Sequence, residues 1–184
     1  MTETIKNIMA RNSCRGFSDV PLTDEQVKAL VEAALAAPSG RNTQPWHLTV
    51  VTYKSLIDEM DKECIELIKA DENQEYYNMI MQRGGKVLYN APCCMVISVN
   101  DSTWAQIDSG IMCQNIAIAA QSMGLGSCII GMLKGALVGP KSAELKKRLQ
   151  FPEGYEFAIA VIVGNVVKDK PPHELDFNKV SYVS

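Results

Sequence analysis

The chain has no long run of like charge. Its 18 Lys plus Arg are interspersed with 21 Asp plus Glu along 184 residues, for a formal net charge of −3. With no basic stripe to neutralise a phosphate backbone, nucleic acid is not expected as a partner. The sequence also lacks the ~18 uninterrupted apolar residues that suggest a membrane span. Its opening residues, MTETIKNIMARNS, mix acidic and basic side chains before any apolar run forms, unlike a signal peptide. A soluble cytoplasmic protein is the expectation. Histidine is scarce: His47 and His173 are the only two, and neither has the spacing to Cys or carboxylates that suggests zinc. No metal site is expected.

Six cysteines are present, at 14, 64, 93, 94, 113 and 128. A chain of this length can build an apolar core without disulfide staples, so free and mostly buried thiols are expected. The length suits a single domain over residues 1–184.

Apolar spacing gives the elements. Residues 3 to 11 suit a short helix, followed by irregular backbone marked by Gly16, Ser18, Asp19 and Pro21. Thr23 and Gln26 have capping-box spacing, and Val27, Leu30, Val31, Ala34 and Leu35 recur at helical period until Pro38 and Gly40 end the pattern. WHLTVVTY reads as a strand, residues 54 to 70 as a helix, and the pattern weakens between Asp71 and Lys86. CCMVISV, 93 to 99, has the length and continuous apolarity of a strand covered on both faces. Cys93 and Cys94 then point to opposite sides and cannot share a metal. A helix nearly apolar all round spans 104 to 123, and is buried on more than one side, within the domain or against a second subunit. GLGSCIIG gives a Gly-rich turn with a short strand, residues 141 to 149 an exposed helix, YEFAIAVIVGN a last core strand, and 168 to 184 an extended tail. Strands and helices without strict alternation indicate α+β. Asp101 and Asp108 read as charges flanking a helix.

Three polar clusters carry candidate chemistry. RNSCR, 11 to 15, sets two Arg around a Ser hydroxyl, which suits a phosphate. It also suits a basic helix end facing its own dipole, and the cluster alone favours that reading. The loop APSGRNTQPWHL, 37 to 48, offers amides and hydroxyls to a heterocycle edge, or simply caps a helix. GLGSCIIG places backbone N–H groups close together, although a Gly motif alone is weak.

Taken in order, RNSCRGF, APSGRNTQPWHL, NAPCCMVI and QNIAIAAQSMGLGSCIIG resemble the nitroreductase family of FMN-dependent oxidoreductases, over most of the chain up to about Gly131. The resemblance implies a nitroreductase-like α+β fold with a central mixed or antiparallel sheet flanked by helices, in an intertwined homodimer with FMN sites at the interface. It implies FMN as cofactor, NADH or NADPH as reductant, and a ping-pong hydride transfer to a small-molecule electron acceptor such as a nitroaromatic or quinone. Arg11 and Ser13 match phosphate contacts, with Asn12 beside them, and Arg15 matches a basic residue near the flavin pyrimidine. Pro38, Ser39, Gly40 and Asn42 match a loop that reaches the other subunit's flavin. Ile129, Ile130 and Gly131 match a segment along the ring, and Lys86 a basic contact near the flavin O2. No side chain is assigned as a catalytic acid or base.

The chain departs from the family pattern at its end. Many members complete the phosphate site with Lys or Arg pairs near the C-terminus, whereas KDKPPHELDF offers Lys168, Lys170 and His173. This leaves a second reading open, a protein that stores or senses flavin with little turnover.

Overall fold

The computed structural model describes residues 1–71, 74–168 and 170–183. Among them, seven α-helices and four strands form a layered α+β fold. The strands are β1 (Trp46–Val51), β2 (Cys93–Val99), β3 (Gly126–Ile130) and β4 (Glu156–Gly164). They pair antiparallel throughout, in the order β1-β2-β4-β3. The mixed alternative for the sheet is thereby settled.

Every residue of β2 is buried. Alternation along the strand then divides the apolar side chains between two cores. Cys94 and Val96 of β2, with Ala160 and Ile162 of β4, face one core; Cys93, Met95 and Ile97, with Val161 and Val163, face the other. The first core is closed by α3 (Lys54–Lys69), α4 (Gln74–Gln82), α6 (Lys134–Val138) and α7 (Ser142–Arg148), through Ile57, Met60, Ile80, Leu137 and Leu145. The second is closed by α2 (Asp24–Leu35) and α5 (Ala105–Ser122), through Leu30, Ala34, Met112 and Ile116. α1 (Glu3–Ala10) buries no residue and leaves Ile5, Ile8 and Met9 exposed.

The sequence reading places most elements within two residues. Thr23 and Gln26 form both halves of the capping box, a feature worth about 1 kcal/mol to a helix start. α4 occupies the stretch where periodicity weakens, and the tail contains a 3-10 turn at Phe177–Lys179. All six thiols are free and buried. Among the described residues, no helix is long and apolar enough to cross a membrane, and no cluster of three His, Cys, Asp or Glu is suited to a metal.

Candidate functional site

After α1, the chain turns extended at Arg11 and runs along the edge of β3. Ser13 bridges Ser127 in parallel, and the Cys14 N–H donates to the Ser127 carbonyl at 2.9 Å. It then crosses to the segment leaving β4: Phe17 bridges Val166, Ser18 donates to Asn165 at 2.9 Å, and Val167 donates to Gly16 at 3.0 Å. Two glycines permit this approach. A Cβ on Gly126 would lie 2.7 Å from Val166 Cγ2 and 2.8 Å from Cys14 Cβ; one on Gly16 would lie 3.1 Å from Lys168 Cβ. Backbone pairing therefore brings the N-terminal cluster, the Gly-rich strand and the C-terminal tail together.

Beside this junction lies a cavity of about 320 Å³. Ser13 and Arg15 line it from the N-terminal segment, and Lys168 and Lys170 from the tail. Gln82, Arg83 and Tyr89 complete the wall. The lining includes four cationic side chains and no carboxylate, a donor set suited to a phosphate monoester. The volume is at the small end of ordinary ligand sites. Burial raises the nearby Cys128 thiol's pKa, against opposing effects from Arg15 and a hydrogen bond with Ser13.

The wall after α4 is held from beneath by α3. Asp61, 3% exposed, accepts the N–H groups of Val87 and Leu88 at 2.8 and 2.7 Å. Tyr89 and Asn90 follow directly with φ of 50° and 60°, in the left-handed region that ordinary residues seldom adopt. Lys86 Nζ lies 3.5 Å from Asp58 and 3.6 Å from Asp61. The Asp58 carboxyl is held below its ordinary pKa, first by its hydrogen bond with Lys54.

The loop after α2 is built on itself. Its 3-10 turn, Gly40–Asn42, contains Arg41 at φ 54°, and Asn42 and Gln44 are also left-handed. Ser39 Oγ accepts the Gln44 N–H at 2.9 Å, and Asn42 Oδ1 accepts Gln44 Nε2 at 3.2 Å. Both oxygens of buried Asp108 lie 3.3 Å from the Gly40 nitrogen, while Pro45 and Trp46 are buried against the sheet. Asp108 is thus an anchor for the loop rather than a flanking charge.

A model of the nitroreductase family matches residues 8–165. The chain belongs to the nitroreductase family. It is similar to a crystal structure of an FMN-bound nitroreductase from Desulfitobacterium hafniense, 42% identical with full coverage of both chains and a TM-score of 0.98. An FMN-dependent nitroreductase from Clostridium difficile is 33% identical over 99% of each chain, with a TM-score of 0.80. An NADPH-flavin oxidoreductase from Vibrio harveyi is 29% identical over 90% of this chain and 66% of its own. The chain is therefore an enzyme of a family of FMN-dependent NAD(P)H oxidoreductases.

Of the residues singled out by the nitroreductase resemblance, Ser13 and Arg15 line the cationic cavity. Asn12 lines an adjoining recess of about 600 Å³ with Gln121, Gly124 and Lys170; Arg11 caps α1 at its C-terminal end. Ile130 is buried in the core, so its side chain is turned away from solvent, whereas Ile129 is 38% exposed and Gly131 is exposed. Pro38, Ser39, Gly40 and Asn42 sit on the self-braced loop, and none lines the cationic cavity within this chain. Sequence reasoning missed Gln82, Arg83, Tyr89, Asp61 and Asp108. Arg83 directly follows α4, in the stretch of weakest periodicity, and no local pattern marks it.

Proposed function

We propose that this chain binds FMN and uses NADH or NADPH to reduce nitroaromatics, quinones or a related small acceptor in a ping-pong cycle. The observation that carries this reading is the cavity shared by Ser13, Arg15, Arg83, Lys168 and Lys170. Its hydroxyl and cations fit a phosphate monoester, and the presence of Lys168 and Lys170 in the same lining supports a phosphate site that includes the tail. The tail's departure from the family pattern was the ground for the storage or sensing alternative.

When bound, FMN supplies the hydride chemistry, and the protein supplies position and electrostatics. Ser13, Lys168 and Lys170 hold the phosphate, with Arg11 and Asn12 at its margin. Arg15 and Arg83 favour negative charge on whatever occupies the cavity beside them, as fixed cations in a partly enclosed site do. Lys86, matched by the resemblance to a contact near the flavin O2, lies outside the lining of this cavity and is paired with Asp58 and Asp61. No side chain is needed as general acid, because an acceptor near the surface draws protons from water.

A homodimer completes the site. Ile5, Ile8 and Met9 on α1, with Phe177 and Tyr182 in the tail, leave apolar surface that suits a second copy. Pro38, Ser39, Gly40 and Asn42, which do not line their own chain's cavity, then face the partner's flavin, and Ile129 to Gly131 run along the ring.

The purified protein is expected to be yellow and to contain about one FMN per chain. Anaerobic NADH or NADPH bleaches it. A colourless protein that takes up no FMN refutes the flavin reading, and a flavin that neither nucleotide reduces restores the storage role.

A further inference from the structure

The self-braced loop bounds a second recess. Gly40, Arg41, Thr43, Ser102, Thr103 and Trp104 enclose about 370 Å³, room for a ligand of one aromatic ring and its substituents. Trp104 is 58% exposed, whereas the chain's other tryptophan, Trp46, is 8% exposed. An indole left this open has a face available for stacking. Its place is fixed by Gly40: a Cβ there would stand 3.2 Å from Trp104 Cδ1, so glycine lets the indole lie against the loop backbone.

Arg41 stands beside it on left-handed backbone, at φ 54° and ψ 21°. That conformation is unfavourable for a side chain as long as arginine and persists only where its surroundings hold it. Here Asp108 holds the Gly40 N–H, Thr43 Oγ1 donates to the Gly40 carbonyl at 3.0 Å, and Ser39 holds Gln44. Among the described residues, no carboxylate pairs with the Arg41 guanidinium. The loop thus fixes the root of a planar cation next to an open aromatic face, with the hydroxyls of Ser102 and Thr103 on the same wall.

We infer that this recess is the acceptor subsite and that it selects aromatic carboxylates. Trp104 stacks on the ring, and Arg41 takes the carboxylate through two parallel N–H donors, a pairing that a neutral amide cannot match. The inference rests on the proposed function, in which this loop stands over the partner's flavin. The electron balance comes from the reductant: one NAD(P)H and one proton take a nitro group to nitroso and release water.

The test uses the holoprotein with 4-nitrobenzoate and its uncharged counterpart, 4-nitrobenzamide, measuring kcat/KM together with FMN content. The native protein prefers the carboxylate by roughly tenfold, the equivalent of one charge-assisted contact. Arg41→Gln brings the ratio towards one, and Arg41→Lys falls between. Trp104→Leu raises KM for both compounds while keeping the ratio. Equal use of the two by the native protein, or a ratio that survives Arg41→Gln, overturns the inference and leaves the flavin reading standing. So does a change confined to NADPH against NADH, which would give Arg41 to the nucleotide phosphate, or loss of FMN from Arg41→Gln, which would give it to the flavin. A native protein without FMN refutes the proposed function itself, and this subsite with it.

Discussion

The N–H of Cys14 donates to the carbonyl of Ser127 across 2.9 Å. This bond places the N-terminal cationic cluster against β3, and Gly126 is what allows the two strands to meet. Gly126→Ala would set a methyl 2.7 to 2.9 Å from Val166 and Cys14, closer than real Cβ contacts. We expect a loss of about 1–3 kcal/mol in denaturant unfolding, typical of overpacking, together with weaker FMN retention. Unchanged stability and FMN content would show that the junction does not govern the cavity.

Lys168 and Lys170 provide a second check on the same site. Replacing either with Ala is expected to weaken FMN binding by roughly tenfold, the scale of one lost charge-assisted bond. Lys147→Ala, at an exposed position on α7, should leave FMN binding alone. The comparison is made by equilibrium dialysis, and equal affinities for the three variants would show the tail to be a bystander.

Asp61 acts on the cavity through the backbone. Asp61→Leu strips the acceptor from two buried N–H groups, each of which then loses a partner at a cost of about 1–3 kcal/mol. Stability and FMN affinity should both fall, because Tyr89 and Arg83 flank the segment that Asp61 holds. Asp61→Asn keeps an amide oxygen for the same N–H groups and should restore much of the affinity. Failure of Asn to rescue any of it would shift the role of Asp61 to its charge, shared with Lys86.

The thiols should be silent in the native protein. Burial raises the pKa of Cys64 to about 11 and those of Cys93 and Cys113 to about 12, and it raises Cys94 further still. Since the thiolate is the reactive form, a chromogenic disulfide reagent at pH 8 should find almost no fast-reacting group. Denaturation without reductant should expose all six. Fewer than six would reveal a disulfide.

Asp58 contributes a pH dependence whose sign follows from its partners. Its folded pKa lies below the ordinary value of 3.8, chiefly through Lys54, so the stabilisation is present above that value. It is lost as the pH falls through the lowered folded value. The Lys54–Asp58 pair is partly exposed, so added salt should shrink the effect. Urea midpoints for the native protein and Asp58→Asn should therefore differ at neutral pH and converge in acid; a constant gap across that range would contradict the assignment.

What was legible in the sequence follows the range of the interactions involved. The capping box at Thr23 and Gln26 and the seven-residue, mostly apolar run of β2 are local patterns, and both stand where their spacing puts them. The helix–strand series and the family were readable for the same reason. The cavity was only half legible. Ser13 and Arg15 belong to a contiguous motif, but Lys168 joins them through the Val167–Gly16 bond, across some 150 residues of chain, and no local period encodes that. Asp108 likewise looks like any first-turn acid until the Gly40 N–H is placed above it.

The central claim is that the cationic cavity holds the phosphate of FMN, and riboflavin, which differs only in lacking that phosphate, tests it most directly. Titrating both into apoprotein by calorimetry should give a riboflavin affinity weaker than that of FMN by roughly a hundredfold, the equivalent of two charge-assisted contacts. Equal affinities would contradict the account.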